Sequence, residues 1–79
     1  MKFKITESNV YHEAGVDYMT PPVLQDELYD GGWMHFVYNW FHVPSGKKGT
    51  HSIYVHHADE LGKLLNHWNE SSDDWKFTR

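Results

Sequence analysis

The run from Trp33 to Val43 restricts this chain more than any other stretch: aromatic and β-branched side chains alternate along it with polar ones. Such a pattern suits an extended strand, because successive side chains point to opposite faces. Met34, Phe36, Tyr38 and Trp40 then share one side, and His35, Val37, Asn39 and Phe41 the other. Pro44 lacks the N–H that a ladder needs and ends the strand. A polar tip, Ser45-Gly46-Lys47-Lys48-Gly49, leads into a returning strand from Thr50 to His57, so the pair reads as a hairpin. Its register follows from parity. Ile53 and Val55 share a face and belong beside the larger apolar set. Trp40 is therefore expected opposite Ile53, Tyr38 opposite Val55, Phe36 opposite His57 and His42 opposite His51, with Pro44 to Gly49 as the loop. A slip of one residue would reverse the faces.

A sheet with one greasy side needs a cover. Between Ala58 and Asn69, Leu61, Leu64, Leu65 and Trp68 fall at helical spacing along one stripe. Asp59 and Glu60 suit the positive end of the helix dipole. The stripe is expected to lie across Met34, Phe36, Tyr38 and Trp40. After the polar Glu70–Asp74 connection, Trp75 and Phe77 alternate with Lys76 and Thr78, giving a short last strand beside the hairpin or the first strand. That first strand is expected at Lys2–Glu7, with Phe3 and Ile5 inward. Residues 10–32 show no sustained period. Within them Thr20 can cap a short helix with Pro21 in its first position and Gly31-Gly32 as its stop. An irregular loop competes with that reading.

The expected fold is a single α+β domain over residues 1–79. It comprises a small antiparallel sheet of three to four strands, one amphipathic helix on one face and a short helix in the 20–30 segment. The expected core is Phe3, Ile5, Phe36, Tyr38, Trp40, Ile53, Val55, Leu61, Leu64, Leu65, Trp68, Trp75 and Phe77. A chain of 79 residues suits one domain. With 16% aromatic residues, a few large rings can supply most of its buried surface.

The chain has no cysteine, which excludes disulfides, thiolate zinc sites and thiol catalysis. The N-terminal Met1–Ile5 is followed by no apolar run, so no signal peptide is expected. No segment has the roughly 20 apolar residues of a membrane span. A cytoplasmic location and no membrane partner are expected. The net charge is −4, unevenly spread: residues 1–30 carry −4, residues 31–58 carry +2 and the remainder −2. Duplex nucleic acid, whose binding rests on Lys and Arg, is not an expected partner.

Histidine is in excess, with seven residues. In the expected register His42 and His51 are cross-strand neighbours at the hairpin tip. They are the alternative metal ligands, or with Lys47 the acid–base pair of a small nuclease-like enzyme. A third ligand is not evident there, and no recognised metal or catalytic spacing occurs. No cofactor is expected. Several imidazoles on one hairpin would also change the charge of any interface there as the pH falls through about 6.5. Tyr38, Trp40, Phe41 and Tyr54 offer rings for stacking nucleobases, but Lys47-Lys48 is the single local basic pair, and core packing explains these rings more simply.

The face bearing His35, Val37, Asn39 and Phe41, joined by Tyr54 and His56, is too apolar to be plain solvent surface. The segment from Val10 to Asp30 or a partner protein is expected to cover it. Asp26, Glu27 and Asp30 add carboxylates suited to a basic partner. In layout, this order of strand, helical insertion, long hairpin, amphipathic helix and Trp-x-Phe strand resembles small accessory proteins of bacteriophages and mobile elements, anti-CRISPR and other host-takeover inhibitors among them. The resemblance covers most of the chain in outline and rests on size, acidity and the Ala58–Phe77 arrangement. It implies a non-enzymatic, acidic module of a bacterial host's cytoplasm that inhibits a partner protein, such as a nucleic-acid-binding one. An open sheet edge also allows a homodimer.

Overall fold

The computed structural model describes residues 10–20 and 32–79. The first strand expected at Lys2–Glu7, with Phe3 and Ile5, and the short helix expected in the 20–30 segment lie outside the described residues. Within them the chain is α+β. Strands β1 (Tyr11–Glu13) and β2 (Val16–Tyr18) form a two-stranded antiparallel sheet. Strands β3 (Met34–His42), β4 (Lys47–Val55) and β5 (Trp75–Thr78) form a second antiparallel sheet in the order β4-β3-β5, and helix α1 runs from Ala58 to Ser71.

The long hairpin forms where the alternation predicts it, but in another register. Trp40 pairs with Gly49, Tyr38 with His51, Phe36 with Ile53 and Met34 with Val55. Each partner has slid four residues from the expected register. Because four is even, every side chain keeps its face. Two features favour the observed pairing. Residues 43–46 close a tight turn with Gly46 at φ 72°, so less chain is spent on the loop. Trp40 also lays its indole over Gly49, where a Cβ would stand 2.6 Å from the ring. Only glycine accepts that ring from the opposite strand.

Helix α1 starts where Glu60 reaches back, its Oε1 accepting the backbone N–H groups of His56 and His57, both at 2.9 Å. Its stripe is buried as the spacing requires: Leu61 is 2% exposed, Leu64 0% and Leu65 5%. The core joins these to Tyr38, Ile53 and Val55, with Phe36, Trp68 and Phe77 packed against the cluster. Trp40 is half-buried. Trp75, expected in the core, is 38% exposed, because the final strand lies at the sheet edge and its ring reaches the hairpin tip.

Val16, Tyr18 and Met19 are buried without having been expected there. They belong to a hairpin turned by Ala14 and Gly15, both in the left-handed region at φ 51° and 77°. Mirror-image turns of this kind match strand twist. Met19 then stitches the hairpin to β4, exchanging backbone hydrogen bonds of 3.1 and 2.8 Å with Tyr54.

Strand β5 pairs with β3, and its outer edge is held by the helix. Asn69 Nδ2 donates to the Phe77 carbonyl at 2.8 Å, while its Oδ1 accepts the Phe77 N–H at 2.7 Å. One side-chain amide thus satisfies both backbone groups of an edge residue, as a neighbouring strand would. No helix among the described residues is long and apolar enough to cross a membrane.

Candidate functional site

With α1 sealing one side of the three-stranded sheet, the other side is left to present side chains. Residues of odd number on β3 and even number on β4 and β5 point there, and the register arranges them in cross-strand rows. Lys48, Phe41 and Lys76 form one row; Thr50, Asn39 and Thr78 form the next. Ser52 beside Val37 and Tyr54 beside His35 continue it along the hairpin. The His35 and Tyr54 rings stack at 4.8 Å. Neighbouring strands lie about 4.8 Å apart, so the two lysine backbones stand about 10 Å apart with the Phe41 ring between them.

This face is open. Val37 is 56% exposed and Phe41 39%. A shallow groove of about 520 Å³ runs over it, lined chiefly by Asn39, Phe41, Lys48, Thr50, Lys76 and Thr78. Two ammonium groups flank an aromatic ring, with hydroxyls and one amide beside them. Such a set can bind carboxylates or phosphates while the ring takes apolar surface.

Of the residues expected on this face, His35, Val37, Asn39, Phe41 and Tyr54 are there. His56 is not in a row: β4 ends at Val55, and the His56 ring packs 4.0 Å from Trp33 at the entry to the helix. Asp26, Glu27 and Asp30 lie outside the described residues. Lys48, Thr50, Lys76 and Thr78 were not anticipated. Lys76 joins Phe41 only through the β3–β5 pairing, which side-chain parity does not reveal.

His42 and His51 do not face each other. His42 lies opposite Lys47 and His51 opposite Tyr38, so four residues of strand, roughly 13 Å, separate their positions along the ladder. His42 Nδ1 hydrogen-bonds the Ser45 hydroxyl at 2.7 Å, and its ring packs 4.4 Å from Trp75. The His51 ring sits 6.0 Å from Trp40. The four-residue slide removes the paired imidazoles on which the metal and acid–base alternatives rested. No group of three or more His, Asp or Glu placed to hold a metal ion occurs among the described residues.

A second concavity lies on the helix side, between β2, the end of α1 and β5. Tyr18, Tyr38, Trp68, Trp75 and Phe77 line it together with Glu13, in a groove of about 300 Å³. The Glu13 carboxylate accepts the Tyr18 hydroxyl at 2.7 Å on Oε1 and the Trp68 indole N–H at 2.8 Å on Oε2. Those two donors, Tyr18 first, hold its carboxyl below the usual range, with His67 adding a smaller pull. Burial, reinforced by the Glu13 hydrogen bond, pushes the Tyr18 hydroxyl well above the usual tyrosine range. Burial also raises Tyr38.

Comparison with protein-family models, with curated proteins and with solved structures finds no match to this chain.

Proposed function

We propose that this protein is a binding module that docks an acidic segment of a partner protein on its open sheet face and thereby modulates or blocks that partner. One observation carries the reading: Lys48, Phe41 and Lys76 stand side by side and open to solvent, on a face whose described strand positions include no carboxylate. The ring offers contact area at low entropy cost, and each lysine offers a partner for a carboxylate. Thr50, Asn39 and Thr78 supply hydrogen bonds one row further on.

Charge complementarity favours a short acidic peptide over the alternatives. A nucleic-acid strand carries charge well beyond two lysines, and the protein's net −4 repels the remainder. A second copy meeting this row across a two-fold axis would bring lysines towards lysines. A peptide with two or three carboxylates around an aromatic residue fits the row and extends little beyond it.

The test is a titration of isotope-labelled protein, followed by two-dimensional NMR, with acidic peptides bearing one aromatic residue. Amides of Asn39, Phe41, Lys48 and Lys76 are expected to shift. The Lys48→Glu/Lys76→Glu variant, which alters only surface charge, should lose at least roughly tenfold in affinity. Shifts confined to other faces, or equal binding by the variant, would refute the proposal. Tighter binding of a thymidine oligonucleotide at physiological salt would reassign the face to nucleic acid, and concentration-dependent shifts of the protein alone would reassign it to self-association.

A further inference from the structure

The aromatic groove on the helix side combines two features that the docking face does not use. Its walls are rings set at steep angles. Trp68 meets Tyr18 at 76°, Tyr38 at 52° and Phe77 at 60°, with centroids 5.4–5.6 Å apart. Trp75 extends the wall beside Phe77 towards solvent, itself braced by the Trp40 and His42 rings. Beside these rings sits a carboxylate whose charge is fixed but not neutralised. Its two hydrogen-bond donors, Tyr18 and Trp68, are uncharged. Among the described residues the one basic group near it is His67, at 3.8 Å, and no lysine or arginine pairs with it.

We propose that this groove binds a methylated or quaternary ammonium group, with Glu13 as its counter-charge and Trp68, Trp75 and Tyr38 as its π walls. Ring faces attract a cation through their quadrupole, most strongly when both are withdrawn from water. A primary ammonium must exchange its hydration for three acceptors, and the lining here is dominated by the rings of Tyr18, Tyr38, Trp68, Trp75 and Phe77. Methyl groups on nitrogen ask for no acceptor, spread the charge over apolar surface and lose little hydration on entering. A volume of about 300 Å³, near the lower end of ligand pockets, has room for such a head group. The shared chemistry is the methylated ammonium. It can arrive on a small molecule such as choline or on a methylated lysine side chain of a protein.

The assay is tryptophan fluorescence together with NMR shifts, using choline, tetramethylammonium and a trimethyllysine peptide as probes. The neutral isostere of choline, with carbon in place of nitrogen, serves as control. Saturable binding of the cations, with the isostere on the order of tenfold weaker or undetectable, is expected. A preference for choline over the peptide assigns a small-molecule ligand, and the reverse assigns a modified protein. Trp75→Ala, which removes a half-exposed ring outside the core, should weaken binding several-fold with the fold intact, and Glu13→Gln should weaken it further. Lys48→Glu/Lys76→Glu lies on the opposite face and should leave it unchanged, so this inference and the docking face fail separately. Equal binding of choline and its isostere, no saturable change with any cation, or cation binding untouched by both Trp75→Ala and Glu13→Gln would overturn it.

Discussion

Asn69 offers the sharpest test of how this face is kept in place, because β5, which brings Lys76 and Thr78 to it, is held on its outer side, among the described residues, by this side chain. Replacing Asn69 with Ala removes two hydrogen bonds, of 2.8 and 2.7 Å, from a half-buried site. Each is worth about 0.5–1.5 kcal/mol net, a figure that already counts the water bonds the freed Phe77 N–H and carbonyl regain at the sheet edge. The expected cost is about 1–3 kcal/mol. In a domain of this size that lowers the melting temperature by roughly 4–24 °C. Asn69→Asp separates the two bonds: it keeps the acceptor for the Phe77 N–H but sets a carboxylate against the Phe77 carbonyl. At neutral pH it should be at least as damaging as Asn69→Ala, and partly rescued in acid, where a protonated carboxyl can donate. Thermal unfolding by circular dichroism gives the stability, and hydrogen exchange at the Phe77 amide gives the local effect. A melting temperature within about 2 °C of wild type, with Phe77 protection unchanged, would refute the clamp.

Three further outcomes are expected. Gly49→Ala forces the Trp40 indole off its seat and should cost about 1–3 kcal/mol, whereas Gly62→Ala, whose new Cβ meets only the flexible end of Arg79 at 3.3 Å, should gain about 0.5–1 kcal/mol; paired chemical denaturations decide both. The carboxyl of Glu13 is more acidic folded than unfolded, so its contribution is complete above about pH 4.3 and disappears as the pH falls through the lowered folded value; acid melts of Glu13→Gln should lack that limb. Tyr18 and Tyr38 ionise above the usual value of about 10, so their contribution is full below it and declines at higher pH; tyrosinate absorbance should show both titrating last.

How much of this was legible in the sequence depends on whether the signal was periodic. Leu61, Leu64, Leu65 and Trp68 announce a helix face because burial repeats with the helical turn. His35, Val37, Asn39 and Phe41 announce a common sheet face because parity survives any even slide. The slide itself was hidden, since Trp40 seats on a missing side chain at Gly49, a match of shapes rather than of polarity. Strands β1 and β2, three residues each, are too short to show a period, and their turn uses Ala14 where Asn or Asp would have given notice. Glu13 and Trp68 meet across 55 residues, a contact no local pattern encodes. Asn69 reads in sequence as an ordinary polar residue near a helix end, and only the return of β5 gives its amide something to clamp.

Both sites depend on a sheet with one sealed and one open side, and a soluble paramagnetic probe added to the protein reads both at once by NMR. Side-chain signals of Val37, Phe41, Lys48 and Lys76 should broaden strongly, while those of Ile53, Val55, Leu64 and Leu65 stay sharp. Sharp Val37 and Phe41 signals beside broadened Leu64 and Leu65 would mean that the faces are exchanged, and neither the docking row nor the aromatic groove would then exist as described.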